Sequence, residues 1–499
     1  MMNAPKISDI IIHYFPWGLV YFMNNLDICY LPATDILQRF RDKSLSPVDV
    51  LNAYIERSEQ VKPVVNAHSH EFFDQALDQA KKAEQKYLKG KRTRKLEGLP
   101  IAIKDETLLK GMPCSSGSLI FKDDIADSTS IENQRLLNAG AIIHARTTTP
   151  EFSCAGYTHS RLWGVTRNPW NPKFTPGGSS GGSAASLACG TTSVATGSDI
   201  GGSIRIPASA CGLVGFKPPY GRNAAEPPFN LDTYCHTGPL ARNVADTILL
   251  QNVVSGPHSQ DIASIKPKLT LPTQYPDIKG WKIAFSMDLG LFEIDPEVRR
   301  NTLETIEILR SLGATVDEVE LNWPKDVIEA GIDYLDHFFG VEIGKFVEEH
   351  GDLMTSYALD FAKRAALSTA AKYFHSIEVA GEMYNQFGPL FDRYNLFVCP
   401  TNGLAAVPAE HDQSRDTVQI NGQTVDPLLG WVLTLPFNMM SRCPVISMPS
   451  GRTSQNVPTG IQLVGATYQD KDVFRAAMAI ENARGAWYTS AENRPDIAV

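Results

Sequence analysis

The sequence has few cysteines, and they follow no pattern that would pair them in disulfides or bind a metal. Its eight cysteines are scattered over 499 residues without a CxxC pair, and its 11 histidines include no HExxH motif. A disulfide-framed secreted domain or a zinc site would need such spacings. We therefore expect free thiols in a reducing, cytoplasmic compartment and no bound metal.

Long hydrophobic runs and an excess of positive charge are also missing. The longest apolar stretch, 10–23, is interrupted by His13, Pro16 and Gly18 and is shorter than the roughly 20 residues of a spanning helix. It also lacks the charged start and the cleavage site of a signal peptide. The chain carries 46 Lys and Arg against 55 Asp and Glu, a net charge of −9. Neutralising nucleic-acid phosphates requires positive charge, so we expect no nucleic-acid partner.

Residues 1–32 form an N-terminal extension that is unusually aromatic. Its run of large apolar side chains comprises Tyr14, Phe15, Trp17, Leu19, Tyr21 and Phe22. We interpret the extension as a strap packed on the core. The alternative is a weak contact of residues 10–23 with a membrane surface or with a second copy of the chain, as in a homodimer.

Apolar runs of strand length alternate with helical patterns along most of the chain. The predicted strands are 99–103, 141–145, 281–285, 315–321, 396–399 and 445–448, and the predicted helices include 131–138 and 296–312. Thr34 and Ser46-Pro47 are expected helix starts. At roughly 150 residues per domain the length allows about three domains, or one large one. The alternation indicates an α/β fold, with a layered sheet covered on both faces.

Residues 177–203 are the one compositional break, because Gly, Ser, Ala and Thr dominate them. A flexible linker is a poor interpretation, since this segment holds Val194 and Ile200 and runs on into an apolar stretch. Consecutive glycines allow backbone N–H groups to converge on one point. The segment Ile200-Gly-Gly-Ser203 could thus bind an anion or a developing oxyanion. A phosphate would fit as well, but neither GxxxxGK[ST] nor GxGxxG occurs.

A serine beside such a nest suggests acyl transfer, which requires a base to activate the hydroxyl. Gly177-Gly-Ser-Ser-Gly181 formally matches the GxSxG elbow, but the preceding residues 171–176 contain two prolines and cannot be the strand that the elbow needs. Lys104 is the remaining candidate base, because it ends a predicted buried strand where desolvation disfavours the ammonium form. The alternative is an ordinary ion pair of Lys104 with Asp105 or Glu106.

Several motifs together resemble the amidase signature family over about residues 33–488. They are Ile103-Lys-Asp105, Thr149-Pro-Glu-Phe152, Asn168-Pro-Trp-Asn171, Pro176-Gly-Gly-Ser-Ser-Gly-Gly-Ser183, Gly197-Ser-Asp-Ile-Gly-Gly-Ser-Ile-Arg-Ile-Pro207, Cys211-Gly-Leu-Val-Gly-Phe-Lys-Pro218, Gly238-Pro-Leu-Ala-Arg242 with Val244-Ala-Asp246, and Pro458-Thr-Gly-Ile-Gln-Leu-Val-Gly465. The resemblance implies a catalytic domain at 33–490, with its core motifs at 99–220 and a variable helical pocket segment at 325–390. It also implies a single large mixed, mostly parallel sheet with helices on both faces.

The resemblance further implies a Ser-cisSer-Lys triad that needs no cofactor. In that triad Ser203 would be the nucleophile, Ser179 the proton relay behind a cis peptide bond from Gly178, and Lys104 the base. The remaining implied residues are the oxyanion-hole N–H groups of Ile200, Gly201, Gly202 and Ser203, and the supporting charges Asp199 and Arg205.

The sequence departs from the usual family pattern in three segments. Ser198 replaces a common threonine, and Arg146-Thr-Thr148 stands where lysine, threonine and asparagine are usual. Asp105 is followed by the acidic Glu106, and a carboxylate beside Lys104 would favour the charged lysine. We therefore predict that Glu106 points away from Lys104, since a pairing of the two would weaken the case for a lysine base.

The family resemblance leaves the substrate open. The segment 325–390 and the surroundings of Cys154, Tyr157, Cys235 and Trp431 are aromatic and rich in thiols, which predicts a pocket for hydrophobic or aryl amides. One alternative is the glutaminase subunit of a tRNA-dependent amidotransferase, which would need a carboxylate for the ammonium of glutamine and partner subunits. The other is a non-enzymatic protein that binds an anion in the glycine nest.

Overall fold

The computed structural model describes residues 10–14 and 20–497, with side chains from Asn24 onward. At the N-terminus, β1 (Ile10–Tyr14) pairs with β2 (Val20–Asn24) in antiparallel fashion. The aromatic side chains for which a strap or a membrane contact is predicted lie outside the described residues. That role stays a prediction. Within the described part of the chain, no helix is long and apolar enough to cross a bilayer.

One sheet of 11 strands forms the centre of the molecule. From edge to edge it runs through β12 (Thr315–Glu318), β11 (Lys282–Phe285), β13 (Leu396–Pro400), β17 (Pro458–Val464), β16 (Val445–Arg452), β9 (Val214–Lys217), β10 (His236–Ala241), β8 (Val194–Asp199), β4 (Pro100–Lys104), β5 (Ile142–Thr147) and β3 (His68–Glu71). Two small hairpins lie outside it: β6 (His159–Ser160) with β7 (Gly164–Val165), and β14 (Val418–Ile420) with β15 (Gln423–Val425).

The large mixed sheet is confirmed, but its pairs are mostly antiparallel rather than mostly parallel. Parallel pairs join β4 to β5 and β8, and β11 to β12 and β13. The other six neighbouring pairs are antiparallel. The strand–helix–strand segments that suggested a parallel sheet form only these two parallel groups. Between them lie β17, β16, β9 and β10, each of which runs antiparallel to its neighbours.

Sixteen α-helices accompany the strands in the described residues. They are α1 (Asn25–Tyr30), α2 (Ala33–Asp42), α3 (Pro47–Val65), α4 (Phe73–Leu88), α5 (Ile131–Ala139), α6 (Gly181–Cys189), α7 (Arg205–Cys211), α8 (Val244–Val254), α9 (Pro296–Ser311), α10 (Val327–Leu335), α11 (Val341–Gly344), α12 (Val347–His350), α13 (Ser356–Ala366), α14 (Ala370–Phe387), α15 (Pro436–Met439) and α16 (Asp470–Arg484).

Helices cover both faces of the sheet, as predicted. Consecutive residues of a strand point to opposite faces. On β17 the hydroxyl of Thr459 accepts a hydrogen bond of 2.9 Å from Asn301 of α9. The next residue, Gly460, lies against Ser209 of α7, whose Oγ would be 2.7 Å from an added Cβ. The helices α9 and α7 therefore pack on opposite faces of the same strand.

The predicted helix ends agree with the structure where the capping is local. Ser46 caps α3 in a reciprocal capping box with Asp49, and Pro47 occupies the first turn. Gly140 ends α5 with a φ of 94°, a left-handed conformation that favours glycine.

The predicted cap at Thr34 is wrong. The helix α2 begins one residue earlier, and the carboxylate of Asp246 accepts the N–H groups of Ala33 at 2.7 Å and Thr34 at 2.9 Å. A distant carboxylate thus supplies the acceptor that the threonine hydroxyl was expected to provide.

Candidate active site

Two parallel neighbours, β4 and β8, bring the candidate base to the carboxyl edge of the sheet. Every residue of β4 is buried, and Lys104 is its last residue. Ser198 and Asp199 end β8, which pairs with β4 in parallel register. Side chains at the carboxyl ends of parallel neighbouring strands meet at one edge of a sheet, and this is where crevices form in open α/β sheets.

Lys104 is fully buried, and its amine contacts three oxygen atoms. The distances from Nζ are 2.7 Å to Ser179 Oγ, 2.8 Å to Ser198 Oγ and 3.0 Å to Glu106 Oε2. Burial lowers the pKa of Lys104 below its ordinary 10.5, and the neighbouring carboxylate of Glu106 opposes part of that shift. Lys104 therefore loses its proton more readily than a lysine in water does.

The prediction that Glu106 points away from Lys104 is wrong. Its carboxylate turns towards the amine because Ser153 holds it there: Ser153 Oγ donates to Glu106 Oε2 at 2.5 Å. Ser153 is itself linked to Thr149 Oγ1 at 2.9 Å. The ion pair that the sequence offered as an alternative to a base is thus present, in addition to the contact with Ser179.

The glycine–serine block packs too closely against its neighbours for larger side chains. An added Cβ on Gly178 would lie 2.3 Å from the carbonyl oxygen of Tyr157, and one on Gly182 would lie 2.4 Å from the backbone nitrogen of Thr148. The peptide bond between Gly178 and Ser179 is cis, as the resemblance implied. Within this closely packed block, the Ser179 hydroxyl lies against Lys104.

Ser203 lies in the loop between β8 and α7. Its side chain is almost buried, and it contributes to the wall of a cavity. Among the described residues, no hydrogen bond links the hydroxyls of Ser179 and Ser203. The backbones do meet, because the N–H of Ser180 donates to the carbonyl of Ser203 at 3.2 Å.

Residues 200–203 carry a row of backbone N–H groups. Within the part of the chain that the structure describes, these four N–H groups donate to no other residue. Thr434 Oγ1 donates to the carbonyl of Gly201 at 2.6 Å, and Ile206 N–H donates to the carbonyl of Gly202 at 2.7 Å. Because the C=O and N–H of a trans peptide point in opposite directions, these two bonds turn the following N–H groups away from Thr434 and α7.

Gly202 is required in this loop for two reasons. Its φ is +130°, and an added Cβ would lie 2.1 Å from Thr434 Oγ1. Residues other than glycine rarely adopt this backbone conformation, and here the space for a Cβ is occupied as well.

Asp199 and Arg205 form a fully buried ion pair beneath the loop. Arg205 donates from Nε and Nη2 to the two carboxylate oxygens of Asp199 at 2.9 and 2.8 Å. The N–H groups of Ile204 and Arg205 also point at Asp199 Oδ2. Burial alone would raise the pKa of Asp199, but the Arg205 guanidinium lowers it to about 2. The pair thus fixes both ends of the loop that carries Ser203.

The cavity beside Ser203 has an apolar lining. Its lining residues are Ser153, Cys154, Ala155, Gly156, Ile200, Gly201, Ser203, Ile206, Leu335, Phe339, Phe361, Leu428 and Leu429. Leu335, Phe339 and Phe361 come from the segment 325–390, to which the sequence assigned the pocket. None of these lining residues carries a charged side chain.

Of the four side chains predicted around the pocket, only Cys154 lies in the lining. Tyr157 is buried in the core, where its ring stacks on His159 and its hydroxyl accepts the N–H of Gln413. Trp431 packs behind Gly156, with its Cζ2 3.1 Å from the position of an added Cβ. Cys235 is half-buried and lies outside this lining. Tyr157 and Trp431 do not line the cavity because their side chains pack in the core behind its lining residues.

Sequence reasoning missed the residues that brace the loop from distant segments. Arg205 also donates to the Thr434 carbonyl, to Gln462 Oε1 and to Asn438 Oδ1 at 2.7–2.9 Å. Gln462 belongs to the quoted motif 458–465, which was the one available signal. Thr434 and Asn438 lie in an apolar stretch that shows no recognisable pattern.

The described residues contain no group of three or more His, Cys, Asp or Glu side chains that could hold a metal ion.

Comparison with known proteins identifies a family and relatives of this chain. A sequence profile of the Amidase family matches residues 49–474. The chain is 30% identical over 470 residues to an acylamidase of Rhodococcus erythropolis, in a match that covers 93% of this chain and 97% of that protein. It is 33% identical over 482 residues to a glutamyl-tRNA(Gln) amidotransferase subunit of Cyanothece sp., in a match that covers 90% and 97% respectively.

A solved structure agrees with the sequence relatives. A bacterial aryl acylamidase of the amidase signature enzymes superposes with a TM-score of 0.88 at 27% identity, covering 95% of this chain and all of that one. The family match spans most of the sequence, and it includes the strand ends and the glycine–serine block that form the site. The chain therefore belongs to the amidase signature family and is a hydrolase of the carbon–nitrogen bond of amides.

Proposed function

We propose that the protein hydrolyses hydrophobic or aryl amides through an acyl-enzyme on Ser203, with Ser179 as proton relay and Lys104 as base. The observation that carries this proposal is the 2.7 Å contact between Lys104 Nζ and Ser179 Oγ, in a site where burial lowers the pKa of the lysine. A base must lie within hydrogen-bond reach of the proton that it removes.

The proton transfers balance over one acylation step. Neutral Lys104 takes the proton of the Ser179 hydroxyl, Ser179 takes that of Ser203, and Ser203 Oγ forms a bond to the amide carbonyl carbon. The carbonyl oxygen becomes an oxyanion among the N–H groups of residues 200–203, where each donor contributes on the order of 3–4 kcal/mol. The relay then returns one proton to the leaving nitrogen, the C–N bond breaks, and water hydrolyses the ester.

The lining of this cavity, whose volume is about 30 Å³, favours an apolar substrate by its chemistry. It consists of small and apolar side chains, with Phe339 and Phe361 as the aromatic members. Such a surface suits an alkyl or aryl acyl group, because burying apolar area drives binding. The names of the acylamidase and aryl acylamidase relatives agree with this class of substrate.

The glutaminase component of an amidotransferase is the second candidate, because relatives with amidotransferase names are equally similar in sequence. Free glutamine carries an ammonium and a carboxylate, and both would need polar or charged partners when buried. The lining residues named above offer no charged side chain for either group. This chemistry disfavours glutamine as the substrate.

A panel of amides tests the proposal. We expect turnover of anilides and of longer acyl amides by the wild-type protein, none by Ser203→Ala, and little ammonia from free glutamine. Ser209→Ala is a matched control, because Ser209 is a buried serine of α7 whose side chain packs against Gly460 of β17. Ammonia release from glutamine without cleavage of anilides would reverse the assignment, and turnover by Ser203→Ala would refute the nucleophile.

A further inference from the structure

Glu106 is a carboxylate that the triad chemistry does not use, although it touches the proposed base. Its Oε2 lies 3.0 Å from Lys104 Nζ and accepts a hydrogen bond from Ser153 Oγ at 2.5 Å. Ser153 in turn contributes to the lining of the cavity beside Ser203. A continuous set of hydrogen bonds therefore runs from the cavity wall to the base.

The geometry around Lys104 Nζ gives this carboxylate a specific role. A neutral amine has two N–H groups and one lone pair, arranged tetrahedrally. A carboxylate can only accept hydrogen bonds, so Glu106 takes one N–H. Ser198 Oγ at 2.8 Å is the acceptor for the second N–H. The remaining direction, which holds the lone pair, then faces the Ser179 hydroxyl at 2.7 Å.

We propose that Glu106 is a positioning residue, which directs the lone pair of neutral Lys104 at Ser179 and stabilises the ammonium that forms when the proton arrives. The inference rests on the proposed roles of Lys104, Ser179 and Ser203. Glu106 itself gains and loses no proton in the cycle. Ser153 holds the carboxylate in place, so this positioning depends on a residue of the substrate cavity.

Most of the other titratable groups around this pair are neutral or already paired. The exception is the buried Arg146 of β5, whose guanidinium donates to the backbone carbonyl of Lys104 at 3.4 Å. Those that act on Lys104 besides Glu106 are Cys235 and Asp199, and those on which Glu106 acts are Cys114, Glu132 and Cys235. Asp199 is bound to Arg205. Burial raises the pKa of Cys114 to about 11 and that of Cys235 well above its ordinary value.

Glu132 is mainly protonated at neutral pH, because burial, Glu226 and Glu106 raise its pKa to about 8. Burial alone would raise the pKa of Glu106, but the charge of Lys104 and the hydrogen bonds from Ser153 and Ser198 lower it overall. Glu106 is thus the charged carboxylate that opposes deprotonation of Lys104.

The negative charge of Glu106 determines the direction in which its removal shifts the pKa of Lys104. A carboxylate within about 4–6 Å raises the pKa of a lysine by roughly 1–3 units relative to a neutral group at the same place. We expect Glu106→Gln to shift the pH at which Lys104 becomes active about 1–3 units lower. The maximal rate should fall about 10- to 100-fold, the loss expected for a hydrogen bond to a charged group.

The test measures the rate of covalent labelling by a fluorophosphonate between about pH 5 and pH 10, a range that spans the expected shift. This probe reports activation of Ser203 without an amide substrate. Glu106→Gln and Glu106→Leu both remove the charge, Glu106→Asp keeps it, and Glu304→Gln changes an exposed carboxylate of α9 as the matched control. The midpoint is the pH at which the labelling rate reaches half of its maximum. We expect the wild-type midpoint for Glu304→Gln, a midpoint near that of the wild type for Glu106→Asp, and lower midpoints for the two neutral variants.

The outcomes separate this inference from the proposed function. An unchanged midpoint in whichever neutral variant folds, as judged by circular dichroism, overturns the role of Glu106 and leaves the acyl chemistry standing. A wild-type protein that is not labelled at Ser203 refutes the proposed function itself. A midpoint for Glu106→Asp that falls as far as that for Glu106→Gln would show that shape, not charge, matters, and would also overturn the inference.

Discussion

Replacing Arg205 by methionine tests the account of how the Ser203 loop is held. The guanidinium makes five hydrogen bonds with its five N–H groups: two to Asp199 and one each to Thr434, Gln462 and Asn438. Both members of the ion pair are fully buried. Arg205→Met keeps much of the side-chain volume but leaves the Asp199 carboxylate buried without its countercharge.

The magnitude can be worked out in two ways. Removing one partner of a buried ion pair destabilises a protein by about 3–5 kcal/mol. Independently, the pKa of Asp199 falls from an ordinary 3.8 to about 2, which corresponds to about 2–3 kcal/mol at roughly 1.4 kcal/mol per unit. Because the folded pKa is the lower one, this stability is present above pH 3.8 and is lost as the pH falls towards 2.

Urea unfolding at neutral pH, followed by tryptophan fluorescence, measures the loss. We expect Arg205→Met to lower the free energy of unfolding by about 3 kcal/mol or more. Arg300→Met is the control, because Arg300 is a half-exposed arginine beside Glu297, and it should change stability by no more than about 0.5 kcal/mol. The double variant Asp199→Asn/Arg205→Met should recover part of the loss, since no bare charge remains. A loss below about 1 kcal/mol for Arg205→Met would refute the reasoning.

Three further predictions concern the loop and the base. Thr434→Val removes the hydrogen bond to the Gly201 carbonyl and should lower kcat while leaving KM nearly unchanged in steady-state assays; an unchanged kcat would contradict the bracing role. Gly202→Ala should abolish fluorophosphonate labelling, because its Cβ would collide with Thr434; labelling at the wild-type rate would contradict the close approach. The kcat/KM of an anilide should rise with pH as Lys104 loses its proton, and a flat profile from about pH 5 to pH 9 would argue against a lysine base.

Much of the fold could be predicted because its signals are local. Five consecutive buried residues mark β4, and Ser46 with Pro47 marks the start of α3 within four residues. Strand direction could not be read in this way. It depends on which strands become neighbours, and β9 pairs with β16, more than 200 residues further along the chain. The expectation of mostly parallel pairs failed at that step.

In the site, too, residues within local motifs could be predicted, whereas contacts between distant segments could not. Lys104, Ser179 and Ser203 lie in dense motifs, so the sequence singles them out. The direction of Glu106 depends on Ser153, 47 residues away, and the cap of α2 depends on Asp246, 212 residues from Thr34. Such contacts leave no periodic trace. The placement of Tyr157 likewise reflects core packing that composition alone does not distinguish from a pocket wall.

The central claim is that Lys104, acting through Ser179, makes Ser203 the nucleophile. Its most direct test is peptide mass spectrometry after fluorophosphonate treatment of the wild-type protein and of Ser203→Ala, Ser179→Ala and Lys104→Ala, each checked for folding. We expect one adduct on Ser203 in the wild-type protein, none in Ser203→Ala, and strongly slowed labelling in the other two variants. An adduct on another residue, or undiminished labelling of Lys104→Ala at Ser203, would contradict it.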